Sequence, residues 1–199
     1  MSFVKYLRVL ALSLFIFNAS AVADEFNGLI NLEHVDLKNV TGNGSAKFRY
    51  SKFESLEING ELDIKDTVVA DSIKINGDME GSNVTCKSLL VSGSLEGNNI
   101  LVNGKTTING YLKAKNSNFD SINAAAEKII LINTKVQDII VSPIKDNKRQ
   151  QIILNGTTLV NGNITFASGI GEVLLLSKEA KIVGKVSGGA VQSHFASHH

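Results

Sequence analysis

The chain has 199 residues, 43% of them hydrophobic and only 6% aromatic, with 20 basic and 19 acidic side chains. That apolar content excludes a disordered chain, and the formal charge of +1 excludes a strong electrostatic drive toward nucleic acid or anionic lipid. One cysteine, Cys86, excludes an intramolecular disulfide, and the absence of Trp makes any core aliphatic.

Residues 1–23 read as a secretory signal peptide. Lys5 and Arg8 form a basic start, Val9 to Phe17 is an apolar run too short to span a bilayer, and Ala21-Val22-Ala23 is an A-x-A cleavage site. Cleavage there predicts a mature protein starting at Asp24, with 18 basic and 19 acidic residues and a formal charge of −1. The expected location is therefore the periplasm or the extracellular side, with no stable membrane span after cleavage.

From there the chain repeats. Asn27-Gly28, Asn43-Gly44, Asn59-Gly60, Asn76-Gly77, Ser92-Gly93 and Asn109-Gly110 place glycines at steps of 16, 16, 17, 16 and 17 residues. A fixed short period is the mark of a repeat architecture. Aligned on the glycines, the apolar residues alternate in three short segments per repeat, such as Ile73/Ile75, Met79/Gly81 and Val84/Cys86, then Leu89/Val91, Leu95/Gly97 and Ile100/Val102. The preceding turn reads Leu56/Ile58, Leu62/Ile64 and Val68/Ala70, and the following one Thr106/Ile108, Leu112/Ala114 and Ser117/Phe119. Alternation at period two is a strand with one buried face. Three strands and three corners per repeat make a triangular coil, so the fold class expected is all-β, a single-stranded parallel β-solenoid (β-helix) with 16–17-residue coils. Glycine supplies the positive φ of a corner, and the Asn before it would stack into a side-chain ladder.

Regular coils are expected over 24–142, giving way at 143–151 (PIKDNKRQQ) to a polar loop insertion. Irregular C-terminal coils follow over 152–186, around Ile164, Phe166, Val173, Leu175, Ala180 and Ile182, and a mobile His-containing tail over 187–199. Eight or nine coils are expected in all. The first begins at the cleavage site with an open strand edge, through which self-association is predicted. The segment from Ile170 to Val191 is expected to cap the other end.

Chemistry is sparse. His34 falls at an outward position, and Cys86 takes an inward one equivalent to Val102, as a small buried hydrophobe. His194, His198 and His199 lie in the tail, where closely spaced histidines bind metal weakly at best. Lys145, Asp146, Lys148 and Arg149 put charge on the loop, a place where repeat proteins carry contacts. No catalytic, cofactor-binding or metal-binding residue is assigned, and no cofactor or nucleic-acid partner is expected.

The coils SIKINGDMEGSNVTCK and SLLVSGSLEGNNILVNG resemble those of bactofilins, the polymer-forming β-helix proteins of bacteria, over residues 24–142. The resemblance implies a right-handed parallel β-helix that associates end to end and scaffolds envelope processes. This chain differs in carrying an export signal. The function expected is thus an exported, non-enzymatic structural, scaffold or adhesive protein of a bacterial envelope or surface. The alternative is a carbohydrate- or protein-binding module using a flat solenoid face. A β-helix enzyme ranks below both: hexapeptide acyltransferases need a catalytic His on the body, and pectinolytic helices need carboxylates clustered on one face.

Overall fold

Two left-handed corners per coil set the shape. The structure is a computed structural model that describes residues 24–145 and 148–194. In it Gly28, Gly44, Gly60, Gly77, Gly93 and Gly110 have φ between 104° and 148°. A Cβ at Gly44 would overlap the carbonyl oxygen of Gly28 one coil below, so close approach and backbone conformation both require glycine there. Six residues after each of these glycines comes a second positive-φ corner, at His34, Tyr50, Asp66, Asn83, Asn99 and Asn116, and Asn133 continues the series without a glycine before it, all with φ between 49° and 56°. Asn and Asp tolerate this conformation best among residues with a side chain, and they occupy all but the first two rungs.

The chain winds through these corners as β1 (Asp24–Glu33), β2 (Asp36–Arg49), β3 (Lys52–Cys86), β4 (Ser88–Lys115), β5 (Asn118–Ile132), β6 (Lys135–Val141), β7 (Gln150–Asn155), β8 (Leu159–Val160), β9 (Ile164–Phe166), β10 (Gly171–Leu175), β11 (Lys181–Ile182), β12 (Val186–Ser187) and β13 (Gly189–Ser193). Every pairing is parallel, and Asn43, for example, lies over Asn27 and under Asn59. The result is the expected β-solenoid, of about 10 turns. Because hydrogen bonding continues around the corners, one strand such as β3 covers two coils.

Three sheets enclose one core. The first buries Leu56/Ile58, Ile73/Ile75 and Leu89/Val91; the second buries Leu62/Ile64 and Leu95; the third buries Ser51/Phe53, Val84/Cys86 and Ile100/Val102. Each rung sets like side chains over like, which is the packing that the alternation predicted.

The third sheet adds a polar element inside the core. Ser51, Thr67, Ser117, Thr134 and Thr158 are buried at equivalent positions. Ser51, Thr67, Ser117 and Thr134 each donate a hydrogen bond to the carbonyl two residues back, at 2.6–3.0 Å. Their oxygens accept from backbone N–H groups one rung below, as Ser51 does from Val35, Ser117 from Ile100 and Thr134 from Ser117. Val84 and Ile100 interrupt the series.

Four expectations need correction. Val68 and Ala70 point outward, Val68 being 47% exposed, while Thr67 and Val69 are buried. Thr67-Val68-Val69-Ala70 is apolar or small in both parities, and the corner at Asp66 decides which parity faces in. The polar loop is shorter than 143–151, because Gln150 and Gln151 open β7, and the buried Gln150 donates to the carbonyls of Ser142 and Ala126. The segment at 152–186 is irregular as expected, with two-residue strands β8, β11 and β12 and longer coils, but it stays paired in the stack, with β7 between β5 and β10. The tail expected from Ser187 starts instead as strand, with β13 paired to β10. Ile170–Val191 therefore supplies a further rung and not a lid, which raises the turn count above eight or nine. Residues 1–23, including the signal reading, and 195–199, including His198 and His199, lie outside the described residues, as does Asp146.

Candidate binding groove

The outward side chains of the second sheet form columns at the coil period. One column runs Lys47, Asp63, Glu80, Glu96 and Lys113; the next runs Arg49, Lys65, Ser82, Asn98 and Lys115. Between them lies a shallow cleft of about 480 Å³, reaching from Arg49 to Lys115. Neighbouring strands stand about 4.8 Å apart, so a cleft crossing these rungs runs along the solenoid axis.

The floor of the cleft has a cause inside the core. The inward positions beneath it are Phe48, Ile64, Gly81, Gly97, Ala114 and Leu131 in rung order. At Gly81 and Gly97 there is no side chain to hold the sheet off, and Ile100 from the third sheet fills the space. A Cβ at Gly97 would lie 2.6 Å from Ile100 Cγ1, and one at Gly81 would lie 3.0 Å from Ile100 Cδ1. The sheet sits close to the core at these two rungs, and its outer surface is correspondingly hollow.

The walls are charged and mixed in sign. Arg49 forms an ion pair with Asp63 and also donates to the Asp63 and Phe48 carbonyls at 3.1 Å. Hydrogen bonding to Asp63 raises the Arg49 guanidinium above its ordinary value, with a further push from the charges of Asp63, Glu33 and Glu80. Lys113 pairs with Glu96 at 2.7 Å, a bond that raises its ammonium likewise. Among the described residues, no hydrogen bond or ion pair engages the side chains of Glu80, Ser82 or Lys115. A carboxylate, a hydroxyl and an ammonium therefore face the hollow unpartnered.

Along the corner beside the groove runs a second polar ladder. Asn83 donates to Asp66 at 2.6 Å, Asn99 to Asn83 at 2.8 Å, and Asn133 to Asn116 at 3.2 Å. At its N-terminal end the ladder changes character: His34 and Tyr50 stack with ring centroids 5.1 Å apart and planes at 20°. Both are exposed. The Asn-Gly ladder expected from the repeat is bonded only at Asn27, Asn43 and Asn59. A smaller hollow of about 230 Å³ beside it on the first sheet is crossed by the Lys74–Glu57 ion pair at 2.5 Å.

The residues singled out in the sequence do not gather here. Cys86 is buried, and burial pushes its thiol up to about 12. Lys148 pairs with Glu127 at 3.4 Å and Arg149 with Glu172 at 3.5 Å, which ties the loop to its own coil neighbourhood. Lys145 and His194 are exposed, and the His194 ring lies 3.2 Å from Gln192 Oε1. No cluster of three metal-ligating side chains occurs among the described residues. The groove residues carried a usable signal: Asp63, Glu80 and Glu96 recur at the coil period, as do Asp66, Asn83, Asn99, Asn116 and Asn133. Compared with protein-family models, curated proteins and solved structures, the chain matches none.

Proposed function

We propose that this chain is an exported, non-enzymatic β-solenoid that serves as a structural, scaffold or adhesive element of a bacterial envelope or surface. The observation that carries the reading is parallel rung-on-rung pairing from the first described strand to the last, with register shifts between Val102 and Lys105 and between Asn109 and Tyr111, and with core side chains incompletely covered at both described ends. Phe26, Ile30 and Leu32 are half-buried at the first rung; at the last, Val186 is half-buried and Val191 is 47% exposed. Such ends are strand edges that pair with further strands when nothing covers them. The carboxylates on the second sheet fit this reading better than hydrolysis. A glycosidase needs one carboxyl kept protonated by an apolar pocket, whereas Asp63 and Glu96 sit on cations and Glu80 is exposed.

Two measurements test it. Intact-mass analysis of exported protein should give a chain starting at Asp24; retention of residues 1–23 would make the protein membrane-anchored instead. Sedimentation and electron microscopy across concentration should show self-association, and a proline at Ile30 should shift it toward monomer by removing an edge hydrogen bond. A wild-type protein that stays monomeric at high micromolar concentration removes the scaffold reading.

A further inference from the structure

We propose that Asn155 is a site of spontaneous covalent modification, a deamidation through a cyclic imide that the turn at Gly156 promotes and the rest of the fold suppresses at every other Asn-Gly pair. The chain holds eight such pairs. Glycine puts no side chain in the way of ring closure, so all eight are chemically competent and the fold decides which one reacts. Six lie within β1 to β4, where the amides of Asn27, Asn43 and Asn59 are bonded to one another. At Asn161-Gly162 the glycine N–H donates to the Gln137 carbonyl at 2.6 Å, which commits that nitrogen to the rung below.

Asn155-Gly156 is built differently. Asn155 is the last residue of β7, and Gly156 follows it in a turn with φ of 60°. Asn155 pairs with Ile132, so Gly156 takes the left-handed corner one rung above Asn133. Its N–H donates to Asn155 Oδ1 at 2.8 Å. Among the described residues, no other Asn-Gly pair makes this contact. It sets the nucleophile of ring closure beside the carbonyl that it attacks, and it polarises that carbonyl. Rotation about the Asn155 Cβ–Cγ bond then turns Cγ toward the same nitrogen. Both residues are half-buried, so water has access. Nor is the glycine replaceable: a Cβ at Gly156 would overlap Asn133 Oδ1, an oxygen that accepts from the Thr157 N–H at 3.0 Å. The turn therefore retains the reactive pair.

The step needs only water and hydroxide. The Gly156 nitrogen gives its proton to hydroxide and attacks Asn155 Cγ. The N–Cγ bond forms, the Cγ–Nδ2 bond breaks, and Nδ2 leaves as ammonia with a proton taken from water. Water then opens the imide. Cleavage at Cγ gives aspartate; cleavage at the backbone carbonyl gives isoaspartate, whose main chain runs through Cβ and Cγ and is one atom longer. In the unmodified chain that backbone carbonyl accepts from the Asn133 N–H at 3.1 Å and from Thr158 Oγ1 at 2.6 Å. Thr158 is buried and accepts in turn from the Thr134 N–H at 3.3 Å. The isoaspartyl product thus disturbs a chain of bonds that reaches the core.

The test is incubation of the purified protein in mildly alkaline heavy-oxygen water, followed by peptide mapping by mass spectrometry and labelling with an isoaspartyl methyltransferase. Asn155 should convert at least tenfold faster than any other asparagine of the eight pairs, and in the unfolded chain the eight should react at similar rates. Conversion led by another pair, equal rates in the folded protein, or a preference for Asn155 that persists on unfolding overturns the proposal. Asn155→Gln, whose side chain would close a larger ring, should stay unmodified at this position; conversion at the wild-type rate overturns it too. Asn155→Asp carries the charge of the product on an unaltered backbone. It should melt close to wild type, and protein enriched in isoaspartate clearly lower. Equal melting of the enriched protein and wild type would overturn the structural consequence. None of these outcomes depends on whether the solenoid self-associates.

Discussion

Replacing Gly97 by alanine adds one methyl group beneath the groove, and the structure says where it goes. The new Cβ would lie 2.6 Å from Ile100 Cγ1 and 3.4 Å from its Cδ1. Cγ1 is one bond from the Ile100 Cβ and cannot move away without leaving its rotamer. Overpacking of this kind costs about 1–3 kcal/mol. Gly81→Ala is the control, because its Cβ meets only the ends of flexible side chains, Ile100 Cδ1 at 3.0 Å and Met79 Cε at 3.3 Å. There the loss of unfolded-state freedom, worth about 0.4–1 kcal/mol, offsets most of the crowding, and the net change should be small. The partner substitution completes the argument. Ile100→Ala alone should cost about 2–5 kcal/mol, yet combined with Gly97→Ala the loss should fall short of the sum by at least about 1 kcal/mol. Ile100→Val removes only Cδ1, so it should relieve Gly81→Ala and leave Gly97→Ala strained. Urea unfolding followed by far-ultraviolet circular dichroism measures all of these. Equal stability of Gly97→Ala and wild type, or strictly additive losses in the cycle, would refute the account of the groove floor.

Other perturbations probe the core and its edges. Leu95→Asp should cost several kcal/mol by placing a carboxylate among buried side chains, whereas Glu96→Lys, which breaks only the exposed pair with Lys113, should leave the melting temperature close to that of wild type; similar melting temperatures for the two would sink the register. Thr106 is fully buried and its hydroxyl has no partner, so Thr106→Val should raise stability by about 1 kcal/mol, read as a higher urea midpoint. Cys86 has its thiol raised to about 12 in the fold. Its contribution is intact below the unfolded thiol's pKa, roughly 8.5, and is lost as pH rises from there toward 12. Wild type should therefore lose stability across pH 9–11 more steeply than Cys86→Ala, by up to about 1.4 kcal/mol per pH unit; parallel profiles would contradict the burial argument.

The coil was legible because its strongest constraint is local. A glycine that must hold positive φ against the carbonyl below recurs at a visible period, and alternation around it assigned Leu95 inward and Glu96 outward without ambiguity. Legibility failed where apolarity alone had to choose a parity, at Thr67 to Ala70, since the choice there belongs to the corner at Asp66. It failed again after Ser187, where short polar strands with little apolar alternation pair with β10 because that strand is already in place. The groove stayed hidden for a different reason. Its walls are outward side chains, whose identity folding hardly restricts, and its depth comes from Gly81 and Gly97, which a sequence reading registers merely as small inward residues.

The buried hydroxyls of the third sheet have a consequence for assembly of the chain itself. A solenoid of identical coils has no internal means of telling one turn from the next, so nascent turns can stack one place out and still bury apolar surface. Here the turns are marked. Ser51 and Thr67 form one hydroxyl block, Val84 and Ile100 a gap, and Ser117, Thr134 and Thr158 a second block. A slip of one turn across the gap would set an apolar side chain where a hydroxyl now accepts from the rung below, as Thr67 does from the Ser51 N–H, leaving that backbone donor unmet inside the core, where an unmet polar group costs about 1–3 kcal/mol. The interruption at Val84 and Ile100 thus acts as an index mark, penalising the stacking errors that a uniform ladder would allow.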